Sequence, residues 1–503
     1  MTNDPTRDLA DQNIQSILEW LALAHGRTGA DEAIGLQRQL LLLRNTPVAT
    51  TQRIKLLDLL YGHAVKITLA QLPLLHDLNL PVARKIRQLV RCIQELLEIL
   101  VQDYLNTLSE LYDPLAETKP RSPQNTLRRI MQCLSWHLMI SHLVAAPTGT
   151  GIWALLHSTY ATSRRLGLAA MEAPGDGRRI EQIYLSSLLI AIAQPASFNS
   201  RELEFITQYI NDCATMPDLT EQAPIGRHGI FWIDPEKDSP AHALSRRIPP
   251  PDALIFYLTC DTVAQNAADH LAAIESGQTA AELGLPALAD TASGQGVLRR
   301  LADFWGNPVK RKFPRRRQSY RADLCAGLER LWHLLRGPDH PRPPTSEWMV
   351  TNESPDGYAM MHVAGKTEEL RVGDIVAVHP LEGHAPDNGP WHICIVRWAL
   401  SENPEHVELG LQVLAPRGFP ALLALPDGID NLNRTSAILL PETPPLRPLQ
   451  ALIVPSGTVT DRTQKLILLM EQDNLKVREM RAKELDEQTS SIEVFTVEPD
   501  QSL

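Results

Sequence analysis

The amino-acid sequence predicts a multidomain α+β protein, with an all-α N-terminal domain followed by an antiparallel β-barrel and a C-terminal β appendage. Three observations carry this reading. Over the first 220 or so residues, leucine-rich segments place apolar side chains three and four apart, as amphipathic helices do. After Trp348 the apolar runs become short and strand-like, separated by polar or turn-forming segments with no intervening helices, which points to a small barrel or sandwich. The stretch between mixes both patterns. With 503 residues the chain has room for about three domains. The expected divisions are 1–225 (helical), 226–305 (a mixed connecting module), 306–430 (barrel) and 431–503 (β-rich extension).

The helical domain is read element by element. Val82, Ile86, Leu89, Ile93, Leu96 and Leu100 form one apolar stripe, which shifts register at Tyr104, continues through Leu108 and Leu111, and stops before Pro114. That is a single helix of about 30 residues. It can pack inside a bundle or form a seam between two copies of the chain, which leaves a homodimer open. Further helices are predicted at 14–24, 36–43, 52–65, 125–144, 153–170 and 180–193. Another starts at Asn199, whose side chain can cap it while Glu202 closes a capping box. No fixed repeat period links these segments. In the mixed module, 229–233 and 253–258 read as strands, Pro249-Pro250-Pro251 as a break, and 262–276 and 296–305 as helices. The barrel strands are predicted at 347–351, 358–363, 374–379, 391–399 and 406–414, divided by polar or turn-forming segments such as 383–390 and 402–405. The appendage has strands at 436–440, 450–454, 465–470, 475–484 and 492–497.

Composition excludes several function classes. The net charge of −11 rules out a general nucleic-acid binder, so no DNA partner is expected and any anion must meet a local basic patch. The opening Met1-Thr2-Asn3-Asp4-Pro5 is polar and acidic, unlike a signal peptide. No apolar run nears the roughly 20 residues that span a bilayer; the longest candidate, 184–193, reads as a buried helix. A cytoplasmic protein without membrane insertion is expected. The six cysteines (Cys92, Cys133, Cys213, Cys260, Cys325 and Cys394) never form a CxxC pair, which argues against structural zinc and disulfides and for reduced, buried thiols. Pro147-Thr148-Gly149-Thr150-Gly151 lacks the ending of a phosphate-binding P-loop. His137 and His142, five apart on a helix, do not share a face as metal-binding histidines do. The run 234–238 offers too few ligands for calcium. With no GxSxG, no Cys/His pairing and no paired carboxylates in a recognisable site, no enzyme, metal or cofactor is expected.

One local feature stands out. Lys310-Arg311-Lys312-Phe313-Pro314-Arg315-Arg316-Arg317-Gln318-Ser319-Tyr320-Arg321 places seven basic residues in twelve positions of an acidic chain. Pro314 argues against a helix, so the segment is expected to be extended and mobile. The planar fork of arginine suits phosphate oxygens and the O6/N7 edge of guanine. Taken alone, such a run reads as a solvated linker. A second piece changes that reading. Asn352-Glu353-Ser354-Pro355-Asp356-Gly357 ends one predicted strand just before the next. Its Asn and Ser can hydrogen-bond a base edge, and its Gly allows a tight turn.

The two pieces together resemble the signature of PilZ domains, which carry RxxxR followed by [D/N]xSxxG and bind cyclic di-GMP. Here the motifs are Arg317-Gln318-Ser319-Tyr320-Arg321 and Asn352-Glu353-Ser354-Pro355-Asp356-Gly357, with thirty residues (322–351) between them. Downstream, Arg371-Val372-Gly373-Asp374-Ile375-Val376 and Glu408-Leu409-Gly410-Leu411-Gln412 are similar to a strand entry and a closing strand of that family. The resemblance covers about 308–416. It implies that Arg317 and Arg321 clamp the phosphates and guanine edges, with Arg316 assisting, that Asn352 and Ser354 contact a guanine, and that Gly357 shapes the turn beneath. The segment 328–336 departs from the pattern, since Leu328, Leu331, Trp332 and Leu335 have helical spacing, and the Pro-rich 337–344 lengthens the first connection. The function that follows is a cyclic di-GMP receptor whose ligand draws in the arginine segment and repositions a helical domain that meets an unidentified protein partner. The alternatives are a structural adaptor with a degenerate barrel and, third, an RNA binder using the same basic run.

Overall fold

The computed structural model describes residues 5–23, 29–76, 78–111, 123–173, 177–308, 313–337, 340–367, 370–381, 389–403, 406–424, 434–444, 447–459, 465–471 and 475–500. Lys310, Arg311 and Lys312 of the basic run, and the turn residues 383–388 and 404–405, lie outside them.

Among the described residues, eight α-helices form the N-terminal domain: Pro5–Leu23 (α1), Gly29–Arg44 (α2), Thr50–Gln71 (α3), Arg84–Leu111 (α4), Gln124–Leu143 (α5), Ile152–Arg165 (α6), Ile180–Ile192 (α7) and Ser200–Asp212 (α8). The stripe on α4 is covered within the chain. Leu89, Ile93, Leu96, Leu100 and Tyr104 are buried where α4 meets α2, α3 and α5, so this face serves the bundle core. The capping box on α8 forms as the sequence predicts: the Glu202 N–H donates to Asn199 Oδ1 at 2.9 Å and the Asn199 N–H to Glu202 Oε2 at 3.0 Å. His137 lies in the core beside Glu98 (3.0 Å).

The connecting module carries four short strands, Asp218–Thr220 (β1), Ile230–Ile233 (β2), His242–Ala243 (β3) and Phe256–Thr259 (β4), in the order β1-β4-β2-β3. Helices Asp261–Glu275 (α9), Ala280–Leu283 (α10) and Ala292–Gly306 (α11) follow. Trp305 at the end of α11 is fully buried. Its indole donates to the Leu189 carbonyl at 3.2 Å and stacks near Tyr209, which fixes the module to α7 and α8.

Two closed antiparallel barrels complete the chain. The first uses Arg316–Ala326 (β5), then helix Leu328–Leu335 (α12), then Ser346–Ser354 (β6), Gly357–Ala364 (β7), Ile375–Leu381 (β8), His392–Asn403 (β9) and His406–Ala415 (β10), closed in the order β10-β7-β6-β5-β8-β9. The second uses Phe419–Ala424 (β11), Arg434–Leu440 (β12), Ala451–Pro455 (β13), Lys465–Glu471 (β14), Leu475–Gln488 (β15) and Ile492–Pro499 (β16), closed as β11-β12-β13-β16-β15-β14. The expected appendage is thus a complete barrel. Its first strand lies ahead of the division expected at 430, because Phe419-Pro420-Ala421-Leu422-Leu423-Ala424 contains a proline and no alternation to mark it as a strand.

Strand alternation explains how the barrels join. Val376, Val378, Cys394 and Val396 turn into the first barrel, while Ile375, Ala377, Ile393 and Ile395 turn outward and pack on Ile438, Leu440, Ile453, Ile492 and Val494 of the second. The α12 helix wedges between them, with Leu331 buried in the same cluster and the Trp332 indole donating to the Ala421 carbonyl at 2.9 Å. The helical spacing of 328–336 therefore builds an inter-barrel spacer.

Candidate ligand site at one end of the first barrel

From Arg316 onward the arginine segment is paired strand and not the extended linker expected, while 310–312 lie outside the described residues. Arg316 and Arg317 open β5, and backbone pairing to β6 sets Arg316 opposite Glu353 and Arg317 opposite Asn352. Pairing partners lie about 5 Å apart at Cβ, so the two halves of the motif meet directly. Beyond Arg317 the register slips. Tyr320 pairs with Val350 and Arg321 with Met349, so the four-residue step of RxxxR spans only three positions of β6. The extra residue is a β-bulge at 318–319. Three strand positions amount to about 10 Å, a span that two guanidinium groups can bridge onto one ligand.

The second motif ends β6 and begins β7 through a two-residue turn, with Ser354 paired to Gly357. The Ser354 hydroxyl donates to Asp356 Oδ1 at 2.8 Å and lies 3.2 Å from the Gly357 carbonyl. The backbone of Gly357 is not in the left-handed region. Glycine is needed there because any Cβ would strike the Leu411 carbonyl of β10, whereas the sequence suggests turn geometry as the reason. The Val413 N–H donates to the Asp356 carbonyl at 2.9 Å and seats the turn on β10. Gly410, in the closing-strand motif, leaves room for the Trp398 indole.

Arg316, Arg317, Asn352, Ser354 and Gly357 thus gather at one barrel end, with Arg321 further along β5. The three arginines differ in their company. Arg316 and Arg317 are exposed and carry no side-chain hydrogen bond or ion pair among the described residues. Arg321 is ion-paired to Glu347 of β6. The motifs do not reveal Glu347, nor the polar chain at the barrel mouth. There the Tyr320 hydroxyl donates to Glu353 Oε2 at 3.1 Å, and the Tyr358 hydroxyl lies 2.6 Å from His392 Nδ1. Burial pushes the His392 imidazole below its usual pKa, against the opposing pull of Glu353. Only the strand register brings these groups to one place.

Among the described residues no helix is long and apolar enough to cross a membrane, and none of their His, Cys, Asp or Glu side chains cluster as a metal site. Comparison with known proteins yields two family matches. Residues 15–223 match the model described as "Cyclic-di-GMP receptor FimW, N-terminal domain", and residues 336–420 match "Cyclic-di-GMP receptor FimW, middle PilZ domain". A curated relative, the cyclic-di-GMP receptor FimW of Pseudomonas aeruginosa, is 21% identical over 381 residues, covering 59% of this chain and 60% of its own length. The chain thus spans about 60% of the relative it matches. The PilZ match takes in Asn352, Ser354 and Gly357 but begins after the three arginines, although β5 closes the barrel. The matched family is one of receptors, not enzymes. The first barrel thus matches the middle PilZ domain of a cyclic-di-GMP receptor family, and the helical region matches the N-terminal domain of the same family.

Proposed function

We propose that this protein is a cyclic di-GMP receptor whose ligand sits on the β5–β6–β7 end of the first barrel. The observation that carries the reading is the cross-strand pairing of Arg317 with Asn352, which joins an exposed guanidinium to a base-reading amide in a PilZ barrel. Arg317 and Arg321 would hold the phosphates and the guanine O6/N7 edges, with Arg316 assisting. Asn352 and Ser354 would meet a guanine edge, and Gly357 keeps the turn close to β10. The name of the Pseudomonas aeruginosa relative supports the choice of ligand. Ligand binding would shift the balance between two placements of the helical domain, to the extent that its affinity for the two differs. That domain would then present or hide a surface for a protein partner in the cytoplasm.

Two observations favour the adaptor reading. The PilZ match omits the arginines, and Arg321 is already paired. Calorimetric titration of cyclic di-GMP into the wild type and an Arg317→Ala, Arg321→Ala double variant separates the two readings. Saturable, guanine-selective binding that the variant loses is the expected result. No binding by the wild type would sink the receptor reading in favour of the adaptor. Binding that ignores base identity and collapses with salt would instead favour the RNA binder.

A further inference from the structure

Strand β9 carries polar contacts from the first barrel to both the helical domain and the second barrel. At its far end the Ser401 N–H donates to the Ala145 carbonyl at 2.7 Å, and Arg87 of α4 reaches the Ser401 carbonyl (3.2 Å) and hydroxyl. Midway along, Arg397 does something different. Its Nε donates to Gln412 Oε1 of β10 at 2.6 Å, while both terminal nitrogens grip Glu487 of β15, one of them at 2.7 Å. Burial alone would raise the Glu487 carboxyl; Arg397, with Arg300 and Arg299 behind it, overrides burial and holds it below the usual carboxylate range.

The contacts continue on both sides of this clamp. Toward the candidate site, Gln412 pairs with Gly357 and its neighbour Val413 holds the Asp356 carbonyl. Toward the helices, Arg299 of α11 donates to Gln488 Oε1 at 2.8 Å and to Glu275 of α9 at 2.8 Å. Gly296 brings the α11 backbone so close that any Cβ would strike the Gln488 carbonyl. Arg300 then donates to Glu202 of α8 at 2.8 Å and to the Ser197 carbonyl at 3.0 Å. An unbroken set of contacts therefore runs from the motif turn, through two barrels, to the helical domain.

We propose that the Arg397–Glu487 clamp is the coupling element through which ligand binding at the motif turn repositions helix α11 and the helical domain. The proposal rests on the receptor reading above. A bidentate guanidinium–carboxylate pair tolerates little change in orientation. A turn drawn toward a ligand pulls on Val413 and Gln412, and Gln412 orients the same guanidinium that grips the second barrel. Lysine at 397 keeps the charge but loses the fork and the Nε donor, so it separates coupling from folding better than truncation does.

The test is hydrogen exchange over residues 292–306, with and without cyclic di-GMP, in the full-length wild type, Arg397→Lys and Arg397→Met, with affinity measured in parallel by calorimetry. The expected result is a ligand-dependent change in exchange in the wild type that is lost in both variants, while the affinity of Arg397→Lys stays within about threefold. A wild type that binds without altering exchange at 292–306 overturns the coupling role and leaves the receptor reading intact. Full retention of the change in Arg397→Lys overturns the coupling role in the same way. A wild type that does not bind removes the receptor reading and the coupling with it.

Discussion

Glu347 neutralises one of the two arginines proposed to clamp the ligand, and replacing it with glutamine should tighten binding. The Arg321 side chain is 56% exposed and that of Glu347 is 30%, so the pair is largely solvated and worth about 0–1 kcal/mol. A ligand phosphate must either break it or share Arg321 with a carboxylate. Two like charges about 7 Å apart in a water-like medium repel by roughly 0.6 kcal/mol. The two effects together give about 0.5–1.5 kcal/mol, or roughly a two- to tenfold gain in affinity for Glu347→Gln. Calorimetry at low and moderate salt reads it directly, and the gain should shrink as salt screens the charges. Unchanged affinity would mean that Arg321 does not meet the ligand. Weaker binding would mean that Glu347 positions Arg321 for the ligand, the reverse of competition, and would refute the reasoning.

Other outcomes follow from the packing and the buried charges. Gly357→Ala puts a methyl group against the Leu411 carbonyl. The backbone cannot give way cheaply, so a loss of about 1–3 kcal/mol is expected, read as a lower denaturation midpoint. Gly62→Ala is the opposite case: the position is an exposed helix interior with nothing near it, and a gain of about 0.5–1 kcal/mol is expected in the same assay. Burial pushes the Asp374 carboxyl up to about 6, outweighing hydrogen bonds from Ser491 and the Arg371 N–H and the nearby Arg371 charge. The folded state then holds the proton more tightly than the unfolded chain, so stability from this group is full below about pH 4 and falls as pH rises through 6. Asp374→Asn should remove that slope, making the variant gain about 2–3 kcal/mol on the wild type between pH 4 and 7. Burial holds His142, on the same cavity, down at about 4. It acts in the opposite sense, so the difference between the two proteins is the observable.

The parts of this molecule legible in its sequence are those fixed by neighbours a few residues apart. The α4 stripe and the Asn199–Glu202 box are local patterns: the box appears as read, and the stripe does from Ile86 onward, with Val82 just ahead of the helix. The strands after Trp348 are short apolar runs between turn formers, and β6–β7, β8–β9 and β9–β10 pair as neighbours in sequence. What escapes such reading depends on distant pairing. Along β5 only Ala322 and Leu324 alternate as buried residues, behind an exposed run of arginines, so nothing local distinguishes a strand from a solvated linker. The Arg321–Glu347 pair exists because β6 returns beside β5 with a bulge at 318–319, a register that no short pattern specifies. The motif marks Gly357 as necessary, but the reason lies in β10. The second barrel needs a strand built around Pro420 to close.

The closed order of the first barrel sets β6 across from β9. The motif end of β6 is half-buried beside the exposed Arg316 and Arg317, whereas the outer faces of β8 and β9 are buried against the second barrel and the end of β9 is tied to α4 by Arg87 and to the segment after α5 by the Ala145 carbonyl. A ligand therefore meets a barrel that is held on one wall and free on the other. Packed interiors do not absorb strain continuously; they shift between discrete arrangements. The side of the barrel nearest the ligand meets the anchored wall along two routes, β5 to β8 and β7 to β10, and on the second β10 reaches that wall through Gln412 and Arg397. Had the second barrel packed against β5 and β6 instead, it would have covered the arginines and left the opposite wall without support. Its place on β8 and β9 keeps the site accessible and gives any movement there something fixed to act against.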